Sequence, residues 1–464
     1  MKVLKFGGTS VASPDALERV ARIVAAEGER VAVVSATAGT TDALIAAART
    51  AAAGDAAGAE EAMGRLAGMH RDLLGRAAQG DGSAAAALDE LAQRAQALLR
   101  SVAILHECSA RSQDAIVAYG ELASAEIVAS SLRARGLDAV AVAATRFVVT
   151  DDAFGSAAPA FEETYARARA ELEPLLRAGK VPVVTGFIGA TREGVTTTLG
   201  RGASDYTAAI LAAALRASEC LVYTDVSGVM SADPRIVEGA RPLSDLSYAE
   251  AAEMSYFGAK VLHPRAVLPA IEVGIPVRIL NTFAPDAPGT RITARAVPDG
   301  SVVKATTSLG GLALVTVQGA GMSGVPGFAA KVFDTTAAER VSVLMISQSS
   351  SENSICFVVP IDTGERLRTA LQRMLVRELA HHDVERVAVE SPIAVVAAVG
   401  EGMRGTPGVA ARIFGALGRA GVNVIAIAQG SSELNVSLCV LEADQARAVR
   451  AIHQEFHDAD SVIQ

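Results

Sequence analysis

Apolar residues follow two alternating patterns over roughly the first three hundred positions. Short runs, VLKF from Val3, VAVVSA from Val31, AVAVAA from Ala139, VPVVTGF from Val181, CLVYTD from Cys220 and IPVRIL from Ile275, are separated by alanine-rich stretches of helical spacing. Such runs suit strands buried on both faces, and their alternation with helices predicts an α/β fold, a mainly parallel sheet sandwiched by helices. Ligands then belong at the carboxyl ends of the strands. Between about Ala52 and Leu132 the strand signal stops. Leucine and alanine recur there at helical spacing around AALDELAQRAQALLRSVAILHE, which predicts packed helices interrupted by the loop QGDGSA.

Beyond Ser301 the chain repeats itself. GMSGVPGFAAKVFDTTAAERVSVLMISQSSSENSICFVV, from Gly321, aligns without gaps on GMRGTPGVAARIFGALGRAGVNVIAIAQGSSELNVSLCVL, from Gly402. Pro326 and Pro407, Gln348 and Gln429, and Glu352 and Glu433 are each 81 residues apart. Each copy reads strand, glycine turn, helix, strand, turn, strand, a small α+β module, and two copies make a paired binding or regulatory unit. The expected organisation is a catalytic domain over 1–297 and a regulatory region over 305–464, with repeat cores at about 312–360 and 393–441.

Composition narrows the class without changing this picture. The 464 residues are 50% hydrophobic and 20% charged, as in a soluble globular protein, and no uninterrupted apolar run reaches membrane-spanning length. The N-terminus has no basic region ahead of an apolar core, so no secretory signal and a cytoplasmic address are expected. A net charge of −9, 4% aromatics and no Lys/Arg block argue against nucleic acid as a partner. Cys108, Cys220, Cys356 and Cys439 are far apart and form no CxxC, which predicts buried free thiols and no metal site.

Candidate chemistry begins at KFGGTS. Lys5 stands before Gly7 and Gly8, neither a P-loop nor a GxGxxG string, yet strand, glycine turn and a helix start at Ser13-Pro14-Asp15 together make an anion site. VVSATAGTTDAL ends a strand at Ser35 and sets Thr40 and Thr41 before an apolar helix; YGELAS puts Glu121 in a largely apolar helix. In TTTLGRGASDYTAA, Arg201 lies between Gly200 and Gly202, just ahead of Ser204 and Asp205 and a helix, which suits a carboxylate ligand. YTDVSGVMSADPR supplies Thr224, Asp225, Met230 and Arg235 around two turns, and FGAKVLHP supplies Lys260 as a further phosphate ligand, with His263 read as structural.

KFGGTSVA, GELAS, TTTLGRGASDYTAA, TDVSGVMSADPR and FGAKVLHP, in this order, resemble the aspartate kinases of the amino acid kinase fold, which carry two C-terminal ACT modules. The resemblance covers essentially the whole chain. It implies phosphoryl transfer from Mg·ATP to the β-carboxylate of L-aspartate, with ATP and Mg²⁺ as the small-molecule requirements. By match to the family motifs, Lys5 and Asp205 are catalytic, and Gly7, Gly8 and Lys260 contact phosphates. Arg201 holds the α-carboxylate of aspartate and Glu121 its α-ammonium, while Ser35, Thr41 and Ser204 help place it. Thr224, Asp225, Met230 and Arg235 contact the nucleotide. Family members often have Tyr where this chain has Met230, which removes an O–H donor at the adenine.

The paired modules resemble ACT domains, which implies an amino acid effector and pairing into a homodimer, with a tetramer open. SQSSSEN and AQGSSEL are similar to the corresponding segments of threonine-sensitive members, so Gln348 and Gln429 are effector candidates, for threonine rather than lysine. The alternatives are another acceptor on the same fold, the kinase portion of a bifunctional aspartokinase/homoserine dehydrogenase, and a non-catalytic amino acid sensor.

Overall fold

The computed structural model describes residues 1–258, 264–297 and 300–457, so Lys260 and His263 lie outside the described residues. The chain divides into two compact units. The first comprises Met1–Val229, Pro242–Tyr248 and Val261–Ala296, and the second Met230–Arg241, Ala249–Lys260 and Val297–Gln464.

Among the described residues, ten strands belong to the first unit: β1 (Lys2–Phe6), β2 (Arg30–Val34), β3 (Ala139–Val142), β4 (Val181–Thr185), β5 (Ile188–Ala190), β6 (Thr196–Thr198), β7 (Glu219–Thr224), β8 (Asp245–Ser247), β9 (Val277–Asn281) and β10 (Thr290–Thr293). Eight form one sheet in the order β3-β4-β2-β1-β7-β9-β10-β8, parallel from β3 to β9, with β10 antiparallel to β9; β5 and β6 pair separately. The helices are α1 (Pro14–Ala26), α2 (Thr40–Ala52), α3 (Ala56–Ala77), α4 (Gly82–Leu105), α5 (Ala110–Arg133), α6 (Phe161–Arg177), α7 (Ala203–Leu215), α8 (Tyr248–Tyr256), which crosses into the second unit after Tyr248, and α9 (Leu268–Glu272). Ser13 caps α1 through its hydroxyl, with Pro14 in the first turn, as the sequence predicts. All six valine-rich runs are strands of the main sheet.

The helical region is α2 to α5. By length and composition α5 could cross a membrane, but 83% of its apolar window is buried inside the unit, and α2, α3 and α4 pack around it. A helix apolar on nearly every side needs neighbours on every side, and these three helices together with β3, β4 and β6 supply them. The QGDGSA loop is fastened to α5 by Asp81. Its carboxylate accepts hydrogen bonds from Ser130 Oγ at 2.6 Å, Ser83 Oγ at 2.7 Å and the Ala84 amide at 3.1 Å, and pairs with Arg133 at 2.6 Å. Ser130, Ser83 and Arg133 hold this carboxyl well below the usual carboxylate range. Asp81→Ala is therefore expected to cost about 1–2 kcal/mol, through the lost cap and network. The difference from wild type should be full above the ordinary carboxylate pKa and shrink in strong acid, where the wild-type carboxylate is itself protonated. Urea unfolding from neutral to strongly acid pH measures it.

The second unit holds β11 (Ala305–Gln318), β12 (Met345–Gln348), β13 (Ser354–Pro360), β14 (Arg386–Val399), β15 (Ala426–Ala428) and β16 (Asn435–Leu441), in the order β12-β13-β11-β14-β16-β15. Its helices are α10 (Phe328–Ala338), α11 (Ile361–Met374), α12 (Val376–Ala380), α13 (Val409–Arg419) and α14 (Gln445–His457). The two repeats share their long strands. Residues Ala305–Leu309 of β11 pair with Val395–Val399 of β14, while Leu312–Gln318 pair with the first half of β14, across a register shift between Leu309 and Leu312. Each long strand thus serves both modules. Glu352 and Glu433 repeat one turn: each has positive φ, 55° and 56°, and each carboxylate accepts a backbone amide, of Gly324 at 2.9 Å and of Gly405 at 2.7 Å.

Residues 230–241 and 249–260, expected within the first 297 residues as one block, group with this second unit. Burial is the reason. Ala232 and Val237 join the core formed by Val303, Ala394, Val396, Leu438 and Ile452, and Thr306 donates its amide to the Ser231 carbonyl at 2.8 Å. Glu250 is fully buried, pairs with Lys304 at 3.3 Å and accepts the Glu401 amide at 2.8 Å. The thiol expectation needs correcting at two positions. All four cysteines are free, but Cys108 and Cys356 are only half-buried, since one precedes a helix and the other lies near a sheet edge; Cys220 and Cys439 are buried.

Candidate active site

β1 lies at the centre of the sheet, with Lys5 in register with Val33 of β2 and Val222 of β7. Its carboxyl end and that of β2 open onto a cavity of about 290 Å³ lined by Lys5, Ser35, Ala36, Thr41, Glu121, Phe187, Gly200, Gly202, Ala203, Ser204 and Asp205. Six of the residues singled out in the sequence, Lys5, Ser35, Thr41, Glu121, Ser204 and Asp205, are therefore brought together from four separate segments.

Lys5 Nζ lies 2.7 Å from Asp205 Oδ1, both side chains largely buried. Asp205 is in the first turn of α7, where the helix dipole favours a carboxylate. The cap of α7 is Gly202 in the left-handed conformation, with no side-chain hydrogen bond, so Ser204 and Asp205 are not spent on capping. Gly200 also has positive φ, at 85°, and the two glycines let the backbone turn on both sides of Arg201. Arg201 itself is exposed and is absent from the cavity wall.

The glycine turn after β1 works by close approach. A Cβ on Gly8 would sit 2.7 Å from the Ala36 carbonyl, so only glycine lets this turn pack on the loop after β2. The Gly7 amide donates to the Tyr223 carbonyl at 3.1 Å, and a Cβ on Gly7 would lie 3.6 Å from Lys5 Nζ. The Gly7 amide is thus already engaged within the sheet, and what that glycine contributes is space beside the lysine.

Glu121 is the electrostatic outlier. Oε1 accepts the Ala36 amide at 3.2 Å, while Oε2 is buried with no hydrogen-bond partner, and burial pushes the pKa up to about 8. The carboxyl is therefore mostly neutral at pH 7 in the free protein. A cation entering the cavity would supply the missing partner. Gly120 brings Glu121 this close, because any Cβ there would meet Ala36 Cβ at 2.8 Å.

Thr224 ends β7, beside β1, and donates to Asp225 Oδ1 at 3.1 Å. Both are on the carboxyl edge of the same sheet, outside the cavity wall. Met230 and Arg235 belong to the second unit, where Arg235 is exposed and pairs with Asp233 at 2.6 Å. Sequence reasoning missed Phe187, which lines the cavity with φ 66° at the end of the VPVVTGF run, a strained backbone that no composition signal announces. It also missed Asp114, buried in α5, which accepts the Thr198 amide and hydroxyl and the Gly155 amide, each at 2.9 Å, and so fixes β6 ahead of the Arg201 turn. No cluster of three or more His, Cys, Asp or Glu side chains suited to a metal occurs among the described residues.

The amino acid kinase family matches residues 1–281, and an ACT domain matches 315–375 and again 396–456, so fold and site define an amino acid kinase followed by paired ACT domains. The chain is 38% identical to the chloroplastic bifunctional aspartokinase/homoserine dehydrogenase 1 of Arabidopsis thaliana, over 98% of its own length and 51% of that protein. It is 34% identical to the lysine-sensitive aspartokinase 3 of Escherichia coli, over 98% of its length and 99% of that protein. Its structure superposes on E. coli aspartokinase III in complex with aspartate and ADP with a TM-score of 0.82 at 34% identity, covering 98% and 99% of the two chains. The chain belongs to the amino acid kinase family, among its aspartokinases. It spans about half the length of the bifunctional relatives it matches.

Proposed function

We propose that the chain is an aspartate kinase (EC 2.7.2.4), transferring the γ-phosphoryl group of Mg·ATP to the β-carboxylate of L-aspartate to give 4-phospho-L-aspartate and ADP. This is the first step toward lysine, threonine and methionine. The observation that carries the reading is a buried carboxylate oxygen without a partner, Glu121 Oε2, in the same cavity as the Lys5–Asp205 pair. A zwitterionic acceptor explains both: its ammonium completes Glu121, and its side-chain carboxylate lies toward the lysine.

In this reading Lys5 neutralises charge growing on the moving phosphoryl group, and Asp205 holds Lys5 in place. Arg201, on its glycine-flanked turn, grips the α-carboxylate, and Ser35, Thr41 and Ser204 orient the acceptor. The N-terminus of α7 and the turn after β1 take the phosphates, with Lys260; in that turn Gly7 gives room beside Lys5, since its own amide is bonded to the Tyr223 carbonyl, and Gly8 gives close approach. Thr224, Asp225, Met230 and Arg235 form the nucleotide segment. Mg²⁺ arrives on the nucleotide.

Residues 305–464 are the regulatory region, pairing chains into a homodimer through ACT modules. A cavity of about 350 Å³ in the first module is lined by Gln348 and Glu352 with the Gly324–Ala329 turn, which supports an amino acid effector there. Gln348 can donate and accept, which suits a hydroxyl-bearing amino acid, and the SSSE-type segments favour threonine. A second reading, the kinase portion of a bifunctional protein, is favoured by the half-length match to such relatives.

One assay tests substrate and effector together. Aspartate-dependent ATP turnover, with the acyl phosphate trapped by hydroxylamine, should be present with aspartate and absent with glutamate. Millimolar threonine should then inhibit it, and lysine should not. Inhibition by lysine alone overturns the effector assignment, and turnover with glutamate but not aspartate overturns the substrate.

A further inference from the structure

His70, on α3, belongs to no motif of the site, yet it is fully buried and bonded at both ring nitrogens. Nε2 lies 2.9 Å from Thr37 Oγ1, and Nδ1 lies 2.9 Å from the Tyr119 hydroxyl. Thr37 Oγ1 is in turn 2.6 Å from Thr40 Oγ1. Thr37, Thr40 and Tyr119 are all buried, so the four side chains form one hydrogen-bonded chain closed to water.

The ends of this chain matter. Thr37 and Thr40 belong to the loop and first turn that carry Ser35, Ala36 and Thr41 to the cavity wall. Tyr119 is two residues before Glu121 on α5, and Glu121 accepts the amide of Ala36. One imidazole therefore ties the substrate-side loop to the helix that presents the unpartnered carboxylate. Burial pulls the imidazole pKa down to about 4, so at neutral pH the ring is uncharged, with one nitrogen donating and the other accepting.

We propose that His70 is a positioning residue for the acceptor: through Thr37 it fixes the 35–41 loop against Glu121 and so sets the affinity for the amino acid substrate. It touches neither reactant. The proposal rests on the aspartate kinase reading. A purely structural histidine would stabilise the fold and leave the kinetic constants for both substrates equally affected.

The test uses the full chain and shape-conserving variants. His70→Gln keeps a polar group near the Nε2 position, facing Thr37; His70→Asn keeps one only near Nδ1, facing Tyr119. Thr37→Val removes the hydroxyl from the other side at nearly constant volume. The expected result is an aspartate KM raised about tenfold in His70→Asn and in Thr37→Val, with kcat changed far less, because misplacement of a binding group weakens uniform binding. His70→Gln should stay within about threefold of wild type, and the His70→Asn/Thr37→Val double variant should be no worse than either single one, as for residues in one network. The KM for ATP should hold throughout, and the aspartate-induced rise in Tm should shrink in parallel with the KM change.

Equal shifts in both KM values, multiplicative effects in the double variant, or a His70→Gln variant as impaired as His70→Asn would overturn the proposal. Thr37→Val keeps the test open if His70→Asn does not fold. Absence of aspartate turnover in the unsubstituted chain overturns both this proposal and the reading beneath it, whereas turnover with additive variants overturns this one alone.

Discussion

Lys5→Met loses aspartate-dependent turnover by about 10²–10³-fold in kcat, the scale of removing one preorganised group from a developing charge. The same change strands Asp205, whose Oδ1 is 2.7 Å from the lysine in a largely buried pair. Removing one partner of a buried pair costs about 3 kcal/mol, because the remaining charge is left uncompensated. Those two effects separate in a double variant. Lys5→Met/Asp205→Asn should regain most of the lost Tm, since no buried charge remains, and should regain none of the kcat. Thermal melts beside steady-state kinetics provide the check, and a double variant that recovers turnover would remove Lys5 from the chemistry.

The second large effect is at Glu121. Burial pushes its carboxyl pKa up to about 8, so below that value a proton occupies the place the substrate ammonium needs. Apparent aspartate affinity should therefore fall about tenfold for each pH unit below the pKa and level off above it. Glu121→Gln removes the charge with little change of shape. Its aspartate KM should rise about 30-fold or more, equivalent to losing a charge-assisted contact of about 2 kcal/mol, and its pH dependence should flatten. The sign for stability is opposite. The unfolded chain releases this proton near the ordinary glutamate pKa and the folded one only near 8, so wild type loses stability as pH rises between the two. Glu121→Gln has no such penalty, and its Tm at pH 8 should not lie below that of wild type. KM profiles and melts across this range measure both, and an unchanged pH profile in the variant would show that another group governs the dependence.

Much of the first unit was legible because its signals are local. Six valine-rich runs became six strands of the main sheet, and Ser13-Pro14 became the expected helix start. Phe187 and Asp114 were not legible. The first reaches the cavity through a positive φ imposed by its surroundings, and the second acts away from the cavity wall, holding β6 through three hydrogen bonds to residues more than forty positions away. Neither conformation nor distant partners leave a periodic trace.

The sequence by itself determined the elements, the 81-residue repeat and most of the residues that meet in one cavity, because apolar period, glycine turns and helix starts act over a few neighbouring positions. Only the tertiary structure decided how those pieces are shared. It threads β11 and β14 through both modules, and it groups Met230–Arg241 and Ala249–Lys260 with the C-terminal unit. It also leaves Glu121 buried with an unpartnered oxygen. All three depend on which apolar surfaces find each other and on how far water is excluded when they do, and burial of that kind is a property of the packed chain rather than of any stretch of it.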